Sequence, residues 1–487
     1  MEYESEAMAG VAAIDITPDA AHARTARRAD ADRVPAAATE RPRQAGRRLR
    51  ALFQVLLLAA GSLLAAASYA QSFASTMCAA GRTRQNLKLN LYRVGQWLVA
   101  IVALFGSAMH VMAEPGVTDD EIVIGMHAPM SGPLVAYGVD AVQMAEMLYE
   151  QVNQRGGIHG RKIRVIVEDD KCLANTLVAA VKKLVTVDHV FLLHGGSCTG
   201  PVTAAQEFIT REKVPLVMLV AAGDAGVFPP IRYMFGSFQG TQRVFASALT
   251  EFAAKELKAK RLAIIVHDDE YGKASLATAK AVAERYGVQV VAVERIPLNI
   301  TDVTAPMLNI RAAKPDAILS GGYPAPAVLI AQKYAEYGMT ATPMLLMTQG
   351  IPTASVFAKN VGSEGALRNF YHPWAYNEVG NEALRQRWTS MYKSRYPDRE
   401  PGGFMIVGVP STIAITAALE KAGRNLTRER FVDAMETLDI KHEVIAGPIK
   451  FGPGRRDAIR DNVVVKFDGK TQKVMPGIYT WNGRDGN

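Results

Sequence analysis

The chain has 487 residues, 49% hydrophobic and 21% charged, which leaves room for two or three globular domains with a sizeable core. Its formal net charge of +8 invites a nucleic-acid or membrane-surface reading, so where that charge lies decides what it means. Of the 55 Lys+Arg and 47 Asp+Glu, 13 and 8 lie in residues 1–113, leaving 42 and 39 in residues 114–487, a net of only +3. That longer part has no basic block with interleaved aromatics, which argues against nucleic-acid binding.

The charge belongs to a leader. Residues 1–50, rich in Ala, Arg and Asp, read as disordered. Two apolar stretches follow, ALFQVLLLAAGSLLAAASYA behind Arg47, Arg48 and Arg50, and VGQWLVAIVALFGSAMHVMA behind Arg82, Arg84, Lys88 and Arg93. Each has the basic, apolar and small-residue layout of a secretory signal. The second lies directly before the first predicted strand. The preferred reading is therefore a signal peptide from Met77 to Ala113, export to the periplasm, and a mature chain starting near Glu114. Each stretch is also long enough to span a bilayer core of about 30 Å, so a retained membrane anchor is the alternative. Cys78 lacks the small apolar residues that precede a lipidated cysteine.

From Glu121 the chain reads as alternating strands and helices. Glu121–Cys172 lays out a β-branched strand, a Ser131-Gly132 turn, a helix over Val139–Val152, a Gly-Gly turn, a second strand and an acidic turn. Further strands are predicted at Val190–Leu193, Leu216–Val220, Leu262–Val266, Val288–Ala292, Ala317–Leu319 and Met344–Met347. Helices are predicted at Leu177–Val187, Val202–Arg211, Thr241–Leu257, Ala274–Arg285 and Ala325–Tyr337. Then come helices at Phe404–Lys421 and Thr427–Leu438 and short strands in GPIKF, NVVVKF and QKVMPGIYTW. A βαβ alternation demands parallel sheets, and one sheet seldom exceeds about ten strands, so the pattern predicts two doubly wound α/β lobes with a seam near Ser237–Thr241. In such sheets ligands sit beyond the strand C-termini, which places interest on His127–Pro133 and Glu168–Cys172.

Cys172 and Cys198 lie 26 positions apart at the ends of two successive strand-to-helix units. In an oxidising compartment they should pair. Two buried free thiols are the alternative, and a metal site falls short of the usual ligand count. There is no phosphate-binding Gly-rich loop ending in Lys-Ser/Thr, no Gly-x-Ser-x-Gly elbow and no His-Glu-x-x-His. Cys198 with His194 as its base is the one nucleophile pair to consider, and a disulfide explains Cys198 better. His194 itself reads as a core or loop histidine. Asp268, Asp269 and Glu270 read as a solvated turn. No cofactor and no metal are expected, and the chain is read as a binder rather than an enzyme.

IVIGMHAPMSGPLVAYG, NQRGGIHGRKIRVIVEDDKC, HGGSCTGP, HDDEYGKAS and GGYPAPA together resemble, in order and spacing, the extracellular solute-binding proteins of branched-chain amino-acid ABC importers. The resemblance covers almost all of Gly116–Gly477. It implies the type I periplasmic-binding fold, two Rossmann-like lobes joined by three crossing strands, and a Cys172–Cys198 disulfide. The first lobe is then expected at 114–238 and 373–452 and the second at 239–372 and 453–487, after a leader of 1–113. The resemblance places a ligand carboxylate on Ser197, Thr199 and the Ala221-Ala222-Gly223 turn. That fits the anion-binding chemistry of a helix start, although Thr199 also reads as a plain helix N-cap. It places aromatics Tyr137, Tyr271, Tyr323 and Phe404 around the cleft; Trp374 is a further candidate there, with core or hinge packing as the alternative. In the family a hydroxyl and an acid receive the ligand's ammonium. Here the matching residues are Gly223 and Gln349, so either Asp224 compensates or the ligand is an aromatic or aliphatic carboxylate, or an amide, without an α-ammonium. The implied partners are a small solute and the permease and ATPase subunits of an importer, met by a monomer. A membrane-tethered sensing module is the second reading.

Overall fold

The computed structural model describes residues 114–487 apart from 133, 298–299, 322, 348–353, 363, 468–470 and 487. The leader and its two signal-like stretches lie outside the described residues. Among the described residues no helix is long and apolar enough to cross a membrane.

Five strands build the first sheet: β1 (Glu121–Ala128), β2 (Lys162–Asp169), β3 (Leu192–Gly195), β4 (Leu216–Met218) and β5 (Met234–Phe235). They are all parallel and run in the order β2-β1-β3-β4-β5. Helices α1 (Val139–Gln154), α2 (Ala174–Thr186) and α3 (Thr199–Arg211) make the crossovers. β1 is buried on both faces, as a central parallel strand must be: Ile122, Ile124 and Met126 join one core and Val123 the other. The Gly156-Gly157 turn between α1 and β2 has a steric reason. Gly157 sits at φ +73°, and a Cβ there would lie 2.0 Å from the Arg161 carbonyl oxygen.

The second sheet repeats the plan. It is built from α4 (Gln242–Lys255), β6 (Arg261–His267), α5 (Glu270–Arg285), β7 (Gln289–Ile296), α6 (Thr304–Ala312), β8 (Ala317–Gly321), α7 (Pro324–Glu336), β9 (Met344–Leu346), α8 (Ala354–Val361) and β10 (Phe370–Trp374). Its parallel strands run β7-β6-β8-β9-β10, the same order as in the first sheet. The chain then returns to the first sheet through α9 (Glu382–Arg395), α10 (Gly408–Ala422) and α11 (Arg428–Met435), whose Trp388, Ile413 and Phe431 share a core with Ile122 and Met144. A small hairpin of β11 (Asp439–Ile440) and β12 (Ile449–Lys450) follows. The last strands, β13 (Asp461–Phe467), β14 (Gln472–Val474) and β15 (Tyr479–Thr480), end the chain. NVVVKF, predicted as a short strand, is β13, and it extends the second sheet by pairing antiparallel with β10.

The protein is thus an α/β molecule of two doubly wound lobes, and the chain passes between them three times. The crossing segments hold one another: Gly236 N donates to Arg456 O at 2.9 Å, Ala458 N to Gly236 O at 2.7 Å, and the Tyr376 hydroxyl to Phe238 O at 3.2 Å. Trp374, at the end of β10, packs on Tyr376 with ring centroids 5.2 Å apart and donates its indole N–H to Glu378 at 2.8 Å, so it is a residue of the crossing region.

Candidate functional site

In a sheet of order 2-1-3-4-5 the chain winds in opposite directions from the first and third strands, and the loops leaving those two strands part to open a crevice. The first lobe opens its crevice beyond β1 and β3, whose ends are in register, His127 with Gly195. The second opens it beyond β6 and β8, paired Val266 with Gly321.

On the first lobe, the Ser131 hydroxyl donates to Asp169 Oδ2 at 2.5 Å and Met130 N to Asp169 Oδ1 at 2.9 Å. Burial opposes ionisation of Asp169, but these bonds and the Lys171 amide outweigh it and hold the carboxyl below its ordinary pKa. The short 3-10 turn Val135–Tyr137 then delivers Tyr137 against Phe404, centroids 4.7 Å apart. Burial pushes the Tyr137 hydroxyl up in pKa.

Beyond β3, Ser197 is 7% exposed and its Oγ has no hydrogen-bond partner. Cys198 is bonded to Cys172, with Cα atoms 5.6 Å apart, which removes the free-thiol, metal and nucleophile alternatives together. Thr199 opens α3, yet it is not the N-cap. Cys198 occupies that position without a side-chain bond, and Thr199 Oγ1 instead accepts the Gly223 N–H at 3.1 Å. Gly223 has to be bare: a Cβ there would sit 2.1 Å from Thr199 Cγ2. The missing hydroxyl noted in the sequence therefore has a cause, since Thr199 fills its space. The rest of this turn is tied inward and across, with Ala221 N donating to Gly196 O at 3.0 Å and Gln242 N to Ala222 O at 3.1 Å.

On the second lobe, Asp269 caps α5, accepting from Gly272 N at 2.8 Å through Oδ1 and from the Tyr323 hydroxyl at 3.0 Å through Oδ2. Asp268 and Glu270, its neighbours in the acidic run, are exposed as expected, whereas Asp269 is a structural anchor for the site. Tyr323 N donates to His267 Nε2 at 3.2 Å, which fixes Tyr323 at the mouth of β8. Tyr271 lies 5.9 Å from Tyr323 between ring centroids. Burial first, and then the fields of Tyr323, Asp269, Tyr137 and Asp224, raise the Tyr271 pKa. Because Tyr137 and Asp224 belong to the first lobe, the two walls are within electrostatic reach of each other. The hydroxyls of Tyr137 and Tyr271 make no hydrogen bond among the described residues, so both remain donors for a bound molecule. Gln349 lies outside the described residues.

Sequence reasoning missed Arg243. Its Nε donates to Asp224 Oδ2 at 3.0 Å, its guanidinium lies 5.6 Å from the Phe228 ring, and it also donates to Gly486 O. The signal was present: a cation in the first turn of a helix opposes the helix dipole and needs a specific partner. His194 is no base. Buried between the Tyr149 hydroxyl and Ser411 Oγ, both at 2.9 Å, it is pushed down to about 3 by desolvation and by the charge of His127.

Two like-folded lobes face each other across a crevice that carries Tyr137 and Phe404 on one wall and Tyr271 and Tyr323 on the other, the architecture of a two-lobed binding protein. The chain belongs to the periplasmic binding protein family, whose model matches residues 121–472. Among curated proteins it is similar to Leu/Ile/Val-binding protein homolog 7 of Brucella abortus, 24% identical over 397 residues, covering 79% of this chain and 94% of that one. Among solved structures it is similar to a fatty acid ABC transporter substrate-binding protein from Thermomonospora curvata, with TM-score 0.63, 23% identity, and 76% and 95% of the two chains covered. It is also similar to a branched-chain amino acid transporter substrate-binding protein from Streptococcus pneumoniae in complex with isoleucine, with TM-score 0.60, 22% identity, and 73% and 99% covered.

Proposed function

We propose that this chain is the solute-binding component of an ABC importer, capturing a small carboxylate-bearing molecule, an amino acid of the branched-chain type or a related acid, in the periplasm and delivering it to a membrane permease. The observation that carries the reading is the pairing of Thr199 Oγ1 with the Gly223 amide at 3.1 Å beside the buried, unpartnered Ser197 Oγ. This is a polar corner at the start of a helix, suited to a carboxylate. Isoleucine and fatty acids, named with the solved relatives, share that group. The first lobe is assigned to residues 114–238 and 373–452 and the second to 239–372 and 453–487. The Ser197 and Thr199 hydroxyls receive the carboxylate against the Ala221-Ala222-Gly223 turn, whose Ala221 and Gly223 amides stay tied to Gly196 O and Thr199 Oγ1, Tyr137 and Phe404 flank it, and Tyr271, Tyr323 and Gln349 close over it.

Binding does no covalent chemistry. The solute shifts the balance of open and closed forms only by its preference for the closed one, and the permease reads that form through both lobes. The chain acts as an exported monomer. Reconstitution with an ABC permease and its ATPase is the test: the expected result is solute-dependent ATP hydrolysis that requires this protein. Turnover of the solute by the protein alone would sink the reading.

A further inference from the structure

We propose that His267 is a positioning residue for the second-lobe wall: as a neutral ring it holds Tyr323 over the crevice, and on taking a proton it lets Tyr323 go, so that the grip on solute fails in acid. The proposal rests on the reading of the crevice as a solute site.

Of the four wall aromatics, Tyr323 is the one that packing supports least. It is 44% exposed, whereas Phe404 across the crevice is 6% exposed and Tyr137 and Tyr271 are half-buried. Two hydrogen bonds place it. Its hydroxyl donates to Asp269 Oδ2 at 3.0 Å, and its backbone N–H donates to His267 Nε2 at 3.2 Å. The second bond fixes the state of the ring. A backbone amide can only donate, so Nε2 must offer its lone pair and the single ring proton must sit on Nδ1. An imidazolium carries N–H on both nitrogens and would aim one at the Tyr323 N–H. Protonation and this bond therefore exclude each other.

The groups around the ring decide when that happens. His267 is 1% exposed, at the end of β6 and paired with Ile296 on β7. Burial lowers its pKa from the ordinary 6.5, against the field of Asp269 and the backbone carbonyls of Ile296 and Pro297. Tyr323, at the start of α7, lies 5.0 Å away between ring centroids. Asp268 and Arg295 are exposed and face each other at 3.8 Å. The carboxylate that a proton on His267 recruits is thus Asp269, the same one that holds the Tyr323 hydroxyl, so a single proton acts on both fastenings. The first lobe is built the other way. His127, near the end of β1, meets an acceptor, Asp170 Oδ2 at 3.0 Å, and that partner suits a protonated ring as well as a neutral one. With the His267 pKa held below 6.5, Tyr323 is fastened at neutral pH and released on the acid side of 6.5.

The test has two arms on the purified protein. Nitrogen-15 NMR of the histidine rings and tyrosine amides, followed from about pH 7.5 to about pH 5, needs neither solute nor variant. The expected result is a neutral His267 with its proton on Nδ1 at the upper pH, and a Tyr323 amide signal that moves with the same midpoint as the ring. A proton on Nε2 at the upper pH, or a Tyr323 amide that ignores the titration, overturns the proposal. In the second arm calorimetry measures L-isoleucine and benzoate over the same range for the wild type and for His267→Gln, whose side-chain oxygen accepts the Tyr323 N–H at every pH. Other acids of the crevice titrate in both proteins, so the difference between them isolates His267. A probe that binds should lose about threefold or more in affinity in the wild type beyond its loss in the variant. Parallel losses overturn the proposal and leave the solute reading intact. Failure of both probes to bind counts against the carboxylate reading, and the spectra then decide the fastening by themselves.

Discussion

Gly223 and Thr199 form one steric unit, because the space a side chain at 223 would need is the space Thr199 occupies. Gly223→Ser should therefore destabilise the protein by about 1–3 kcal/mol, as overpacking does, and weaken solute binding by displacing the Thr199 hydroxyl. Adding Thr199→Ala should restore part of the stability. Chemical unfolding of the two single variants and the double variant checks this, and additive losses would show that the residues are not coupled. Glu378 offers a pH test in the crossing region. Desolvation raises its carboxyl to about 7 although the Trp374 indole bonds it. The folded state thus holds the proton more tightly than the unfolded state. Its contribution is complete at acid pH and is lost as pH rises from the ordinary value of 4.5 through about 7. Glu378→Gln should remove that loss, so that the variant gains on the order of 2 kcal/mol over the wild type between pH 5 and pH 8. His194, held down to about 3 by burial, works in the opposite sense, giving stability above its unfolded pKa that disappears as pH falls toward 3, and it is common to both proteins. Comparing the two therefore isolates Glu378.

Among the elements, the loops at the strand ends hold the candidate site, and the turn after β2 is braced by its own hydrogen bonds. Lys171 and Cys172 both take positive φ, +52° and +55°, a conformation rare for side-chain-bearing residues. The turn is held by Asp169 Oδ1, which accepts Lys171 N at 3.1 Å, and by Asp170 Oδ1, which accepts Cys172 N at 2.9 Å. The buried His127–Asp170 pair, 3.0 Å apart, anchors the second acceptor. The Cys172–Cys198 bond then ties this turn to the start of α3. Replacing both cysteines by serine should cost about 3.5 kcal/mol from the loop of 26 positions it closes, read as a lower unfolding midpoint that reductant reproduces in the wild type. A change below about 1 kcal/mol would mean that the hydrogen bonds alone hold the turn. Much at this scale was legible in the sequence. Strand and helix types came from two- and three-to-four-residue periodicities, and the Gly-rich, Ser-bearing strand ends marked the loops of interest. Helix α9 was not legible, because its charged face outweighs the few apolar residues, Leu384, Trp388, Met391 and Tyr392, that it buries.

For the whole molecule, the contacts between the lobes set how readily the cleft opens. Besides the crossing segments, Asp224 meets Arg243 at 3.0 Å, and Phe228 packs edge-on to Trp481 at 5.1 Å. Trp481 is almost fully buried among residues of the second core, so the C-terminal tail presents a second-lobe surface to a first-lobe loop. Trp481→Ala should favour the open form and weaken solute binding by the fraction of closed molecules lost. Solution scattering without ligand should give a larger radius of gyration than the wild type, with added solute narrowing the gap. An unchanged radius together with unchanged affinity would remove Trp481 from the conformational balance.

The sequence by itself determined the two α/β lobes and their parallel sheets, and it marked the two cysteines and the strand-end loops of the candidate site. Those follow from local periodicity, turn chemistry and spacing, which are properties of short stretches of chain. Only the tertiary structure decided what each polar group does there. Thr199 reads as a helix cap until Gly223, 24 positions away, takes its hydroxyl. Asp269 reads as a solvated acid until Tyr323, 54 positions away, engages it. Asp224 reads as an acid free to meet a ligand until Arg243, 19 positions away, pairs with it. A side chain's chemistry depends on partners distant in sequence and on its separation from water, and neither is written in the residues beside it.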